Sequence, residues 1–172
     1  MSIEPWGEGD LPLLEQLLGD ARMMEHLGGP ESPEQIAARH GRFLRMRADQ
    51  GRMFKIVEAT TGDGAGWVGY WAREWRSEEV YEIGWAVVPD LQGQGLASLA
   101  TAQAIVIASS DGRRGFLHAF PSVDNAASNA ICRKLGFTLV EECEFEYPRG
   151  SFMRCHDWRL DLRVAGPVAG PV

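Results

Sequence analysis

Residues 82–97 read EIGWAVVPDLQGQGLA. An apolar strand pattern from Tyr81 to Val88 stops at Pro89, which has no N–H to give to a ladder. Gln92-Gly93-Gln94-Gly95-Leu96-Ala97 then turns the chain into a helix, which the apolar spacing predicts over about residues 95–109. Strand, glycine-rich turn and helix N-terminus together make an anion site. Backbone N–H groups without helical partners point at the ligand, and the helix dipole favours negative charge. Gly93 and Gly95 lack a Cβ, so a phosphate can come close to the main chain. A tight turn with no ligand would carry the same two glycines.

Two other phosphate-binding patterns can be tried on these residues. The dinucleotide fingerprint needs a third glycine where this chain has Ser98. The nucleotide P-loop needs a lysine directly after its last glycine, and Leu96 follows Gly95.

The chain has 172 residues, enough for one domain with a proper core. Its 45% hydrophobic and 24% charged residues are a globular balance. No apolar run approaches the roughly 20 residues of a membrane span. The N-terminal MSIEPWGEGD has neither the basic region nor the apolar core of a secretory signal. Cys132, Cys143 and Cys155 are odd in number and widely spaced, which fits neither a disulfide framework nor a zinc pattern. The expectation is a reduced, cytoplasmic protein with no metal and no membrane partner. Net charge is −7 with no Lys/Arg-rich run, which argues against nucleic acid as a partner. The same charge is compatible with a cationic substrate or with a merely solvated acidic surface.

The elements that must position the loop can be read in order. Ser2 to Trp6 reads as a first strand. Asp10 and Pro12 open a helix through Leu13, Leu14, Leu17 and Leu18, ended by Gly19. Ser32, Pro33 and Gln35 form a capping box for a second helix running toward Gly51. Strands are predicted at residues 53–59, 66–73 and 81–88, with turns at 61–64 and 76–79. After the helix at 95–109 come a strand at 116–120, a helix from Asp124 or Asn125 to Leu135, and strands at 137–147 and 152–162. This order predicts an α+β arrangement around one mixed, mostly antiparallel sheet of about seven strands flanked by about four helices. The domain would span residues 1–163, and residues 164–172, with their Ala-Gly-Pro-Val repeat, would be a flexible tail.

Gln92, Gly95 and Ala97 fill the three defined positions of Gln/Arg-x-x-Gly-x-Gly/Ala, the acyl-CoA loop of the GCN5-related N-acetyltransferases. Val87, Val88 and Pro89 also resemble that family's V-x-P. Asn125-Ala126-Ala127-Ser128 leading to Lys134-Leu135-Gly136-Phe137 is similar to its second cofactor-contacting helix. That variant, and the segment at residues 19–29, resemble the branch containing ribosomal-protein N-terminal acetyltransferases and small-amine or antibiotic acetyltransferases. The resemblance implies acetyl-CoA as co-substrate. It implies cofactor contacts at Val87, Val88, Gln92, Gly93, Gln94, Gly95, Leu96, Ala97, Asn125 and Ser128.

Such a site must let an amine attack a thioester. A lysine-like amine has a pKa of about 10.4, so only about one molecule in 10³ is uncharged at neutral pH. A carboxylate can take the proton, and backbone N–H groups of a splayed strand can hold the oxyanion. Glu82 is the first candidate base. Strand alternation puts it on one face with Gly84, Ala86 and Val88, where the small residues leave room for a ligand. It would otherwise be a solvated or arginine-paired carboxylate. His118, on the next strand, is the second candidate, against the plain alternative of a hydrogen-bonded core histidine. Glu25 and His26 are candidate substrate contacts, as are Trp71 and Trp85, whose rings can hold a cation or simply pack in the core.

Many members place a tyrosine general acid where this chain has Cys132. A thiol could donate a proton there, or pack as a small apolar residue. The resulting expectation is direct acetyl transfer to the primary amine of a small basic metabolite or antibiotic. The alternatives are a protein N-terminal acetyltransferase, a non-catalytic acyl-CoA sensor and, weakest, a dinucleotide-dependent oxidoreductase. A homodimer is left open.

Overall fold

Alternating apolar and polar residues build a seven-stranded sheet in the order β1-β2-β3-β4-β5-β7-β6. The computed structural model describes residues 1–147, 150 and 152–164. The strands are β1 (Ser2–Pro5), β2 (Gly51–Val57), β3 (Gly64–Trp75), β4 (Glu78–Val87), β5 (Phe116–Ala119), β6 (Thr138–Glu146) and β7 (Phe152–Asp161). Four helices accompany them: α1 (Leu11–Leu18), α2 (Pro33–Leu44), α3 (Leu96–Asp111) and α4 (Ala126–Lys134). The architecture is the α+β mixed sheet that the order of elements predicts. Part of the turn at Pro148 and Arg149, and the tail from Ala165 on, lie outside the described residues. Among the described residues no helix is long and apolar enough to cross a membrane.

The sheet has a core on each face. Val68, Tyr70, Tyr81, Ile83 and Val87 point toward α3 and α4 and pack with Ala104, Ile105 and Leu135. Trp67 and Met53 point the other way, with Leu14, Leu17 and Ile36 of α1 and α2. Each such side chain contributes about 1.5–3 kcal/mol of burial.

Two local features differ from the sequence expectation. Helix α2 starts at the foreseen capping box, where Ser32 Oγ accepts from the Gln35 N–H at 3.3 Å and Gln35 Oε1 from the Ser32 N–H at 2.7 Å. It ends at Leu44, well before Gly51, because Arg45 caps it and the polar residues after Met46 form a turn. The β3–β4 turn is shorter than foreseen. Arg76 and Ser77 turn the chain alone, at φ 51° and 64°, so pairing continues to Trp75↔Glu78. Two positive φ values match the twist of a two-residue hairpin.

The sheet is split at its centre. Strand β4 pairs with β5 in parallel for only two residue pairs, Tyr81↔Leu117 and Glu82↔His118. Beyond them β5 continues against β7, while residues 83–87 of β4 have no strand partner on that side among the described residues.

Candidate active site

Pro89 ends the extended strand, and a single 3-10 turn through Leu91 leads to the glycine-rich loop. Gly93 and Gly95 take φ of 75° and 82°, a left-handed conformation that side chains resist. Gly95 is the N-cap of α3 and offers no capping side chain. Among the described residues, the amides of residues 93–98 have no acceptor; Leu99 is the first, bonding to Gly95 O at 3.0 Å. A Cβ added at Gly93 or Gly95 would meet nothing within 4 Å. Unpaired donors at a 16-residue helix N-terminus, with open space before them, fit the pyrophosphate of acetyl-CoA.

The named loop residues divide by role. Val87 and Val88 bury their side chains in the two cores, leaving only their main chain to meet a ligand. Leu96 and Ala97 lean on the α3 core. Gln92 is exposed and folds its amide back on the main chain, donating to Val87 O at 3.0 Å with Met23 Sδ at 3.1 Å, so it clasps the loop. The Gln94 side chain is exposed. Asn125 is the N-cap of α4, its Oδ1 accepting from the Ser128 N–H at 2.9 Å. That oxygen is committed to the helix, while the Ser128 hydroxyl has no hydrogen-bond partner among the described residues.

A cleft of ≈ 600 Å³ lies between α2, β3, β4 and the end of β6. Glu82 lies in its wall, with Trp67, Trp71 and Phe145. Arg73, opposite on β3, donates from Nη1 to Glu82 Oε2 at 2.6 Å. The Arg73 guanidinium lies 4.4 Å from the Phe145 ring centroid. Burial raises the Glu82 carboxyl above the usual carboxylate range, against the opposing Arg73 charge and hydrogen bond and a hydrogen bond from Trp71. Loss of Arg73 removes the opposing pull. In Arg73→Met the acidic limb of kcat/KM against pH should therefore move to higher pH, because a base works only above its own pKa, where it is deprotonated. An unmoved limb would detach Arg73 from Glu82's titration.

His118 pairs with Glu82 in the sheet but is buried, 4% exposed, and is not among the residues lining the cleft. Its Nδ1 lies 2.6 Å from Asp157 Oδ1, and Asp157 Oδ2 accepts from Trp75 Nε1 at 2.9 Å. Nδ1 is the nitrogen placed to donate to the Asp157 carboxylate. Nε2 is buried without a partner among the described residues. His118 is thus not a plain satisfied core histidine, and it does not line the cleft. It sits immediately behind Glu82.

Three expectations need correction. Trp85 lies on the α3 face, packed against that core, because odd positions of β4 point away from Glu82. The room left by Gly84 is filled by protein: a Cβ there would come within 3.1 Å of Trp71 and 3.2 Å of Trp67. Glu25 and His26 fall on turns beside the Gln92 end of the loop, where Met23 contacts Gln92, and do not line the cleft. Cys132 is fully buried in the α3–α4 core, and burial pushes its thiol up to about 12. A thiol so reluctant to release its proton is a poor acid toward a thiolate, so Cys132 packs as an apolar residue.

The sequence reading missed Arg73, Asp157 and Asn129. Asn129 is 3% exposed and ties α4 to β7, with Oδ1 accepting from Trp158 Nε1 at 2.8 Å. It also missed Arg39, which bonds Glu31 and donates to the Tyr147 hydroxyl at 2.6 Å, closing one end of the cleft.

A helix N-terminus without a capping side chain, a split sheet and a carboxylate at the fork are thus the features of this region. The model of the acetyltransferase (GNAT) domain matches residues 1–138, and the chain belongs to that family. No curated protein matches the sequence. Among solved structures, a spermidine N-acetyltransferase from Vibrio cholerae in complex with CoA and spermine is 15% identical, with 94% of this chain and 95% of that one covered at a TM-score of 0.76. A ribosomal L7/L12 α-N-protein acetyltransferase in complex with coenzyme A is 20% identical, with 92% of each chain covered at a TM-score of 0.75. An acetyltransferase from Salmonella typhimurium that modifies the N-terminal serine of L7/L12 is 22% identical, covering 92% and 93% at a TM-score of 0.72.

Proposed function

We propose that the chain transfers an acetyl group from acetyl-CoA directly to a primary amine bound in the cleft beside Glu82. The observation that carries this is Glu82's position at the fork: its pair with His118 is the last between β4 and β5. Where the strands part, main-chain groups of β4 become free to meet the thioester arm, and the carboxylate faces the cleft. When bound, acetyl-CoA supplies the acetyl group as an activated thioester. The α3 amides bind and orient its pyrophosphate. Glu82 takes the proton of the incoming amine, directly or through a water. N–H groups on the open edge of β4 stabilise the developing oxyanion. Asp157 and His118 position and polarise the region behind Glu82.

The acceptor's finer class is argued from the cleft wall. A small basic amine gains support from Glu82, Glu146 and the tryptophan rings, but Arg39, Arg42, Arg45 and Arg73 share that wall and oppose a polycation. The Salmonella neighbour favours a second reading, an α-amine at a peptide end. The same loop would serve a sensor that binds acetyl-CoA without turnover.

Calorimetry with acetyl-CoA, followed by CoA-thiol release across a panel of amines, tests the proposal. Gly95→Val should weaken acetyl-CoA binding about tenfold or more, since a branched residue at positive φ costs roughly 1–2 kcal/mol and fills the space before the amides. Unchanged affinity in that variant would remove the loop from cofactor binding. Binding with no release on any amine would favour the sensor.

A further inference from the structure

Helix α2 carries Arg39, Arg42 and Arg45 at intervals of three, so they form one stripe, and all three line the cleft that holds Glu82. Like charges at this spacing weaken a helix by a few tenths of a kcal/mol per pair, while Arg42 in the last turn and Arg45 at the C-cap also meet the favourable end of the helix dipole. Arg39 is neutralised by Glu31, and Arg73 by Glu82. Arg42 and Arg45 are exposed and belong to no ion pair within 4.0 Å among the described residues. The remaining carboxylate on the wall is Glu146, which accepts from the Gly150 N–H at 2.8 Å. The cleft therefore holds surplus positive charge in a chain whose net charge is −7. Two unpaired cations in one concave site suit a ligand that brings acceptor oxygens and negative charge.

We infer that the acceptor is a small amine that also carries an anionic group, a carboxylate or a phosphate, seated on Arg42 and Arg45 while its amine reaches Glu82. This rests on the acetyl-transfer reading and narrows its substrate. The guanidinium fork suits both oxyanions, and the aromatic walls Trp67, Trp71 and Phe43 hold the carbon skeleton between the two ends.

Matched pairs of amines test it: ε-aminocaproate against hexylamine for the carboxylate, and O-phosphoethanolamine against ethanolamine for the phosphate, with spermidine as the polycation. Binding of each to the CoA-loaded protein is measured by calorimetry, and CoA-thiol release is followed where turnover occurs. The anionic member of at least one pair should bind about tenfold or more tightly than its neutral counterpart, with the preference shrinking as salt rises. Which pair responds distinguishes carboxylate from phosphate. In the double variant Arg42→Gln/Arg45→Gln the preference should vanish through binding, with acetyl-CoA affinity unchanged. Equal binding within both pairs, tighter binding of spermidine, or a preference that survives the double variant would each overturn the inference while leaving acetyl transfer intact. Failure to bind acetyl-CoA would instead sink the acetyl-transfer reading. The pairs can still be compared on the free protein in that case.

Discussion

Glu82→Gln should lower turnover by about 10² to 10⁴-fold, the usual contribution of a positioned general base. The amide keeps the shape and can still accept from Arg73, so the change is in proton affinity. The acetyl-CoA site proposed at the α3 amides lies outside this contact, so its dissociation constant should stay within about twofold. Measuring kcat on the best acceptor and acetyl-CoA affinity on the same preparation separates the two. Turnover within about threefold of the parent would remove Glu82 as the base. Loss of cofactor binding alongside turnover would point to a disturbed fork. Raising the pH should recover part of the loss, because more of the acceptor amine is then uncharged and needs no base.

The second large effect is expected at Asp157. It is 1% exposed and accepts from both His118 and Trp75. Asp157→Ala leaves two buried donors without partners, each costing roughly 1–3 kcal/mol, so a loss of about 2–5 kcal/mol is expected in thermal or urea unfolding. That variant alone would not tell a structural role from one in catalysis. Asp157→Asn keeps the volume and one acceptor, and should retain most of the stability. It removes the negative charge that holds the Nδ1–H tautomer of His118. If His118 acts on Glu82, turnover in Asp157→Asn should still fall by about tenfold or more, with a displaced acidic limb in the pH profile. Parent-like turnover and limb would make His118–Asp157 a packing contact only.

How much of this could be read without a structure depends on how far apart in the chain the cooperating residues lie. The strand stop at Pro89, the glycines at 93 and 95 and the start of α3 fall within one short stretch, and each follows from a local rule of backbone geometry. The capping box at Ser32 and Gln35 is local in the same way, so α2 begins where it was expected. Its end was not readable, because Arg45 has no distinctive C-cap chemistry. Two of the corrected points had signals in hand. The alternation that places Glu82 with Gly84 already sends Trp85 to the other face. The three-residue spacing of Arg39, Arg42 and Arg45 already defines a stripe, although nothing in it says whether the stripe meets solvent or a cleft.

The amino-acid sequence by itself determined the family, the order of the elements, the anion-binding loop and the carboxylate at the head of it. These rest on chain-local geometry: where a strand must stop, where φ must turn positive, where helix amides go unpaired. Only the tertiary structure decided what surrounds that carboxylate. Arg73 reaches Glu82 across a hairpin, Asp157 reaches His118 from 39 residues away, and the α2 arginines come to face the fork. Net charge, a sum over the whole chain, carries no information about the sign of one cleft. Local potential depends on which charges are brought within a few ångströms and which of them find partners.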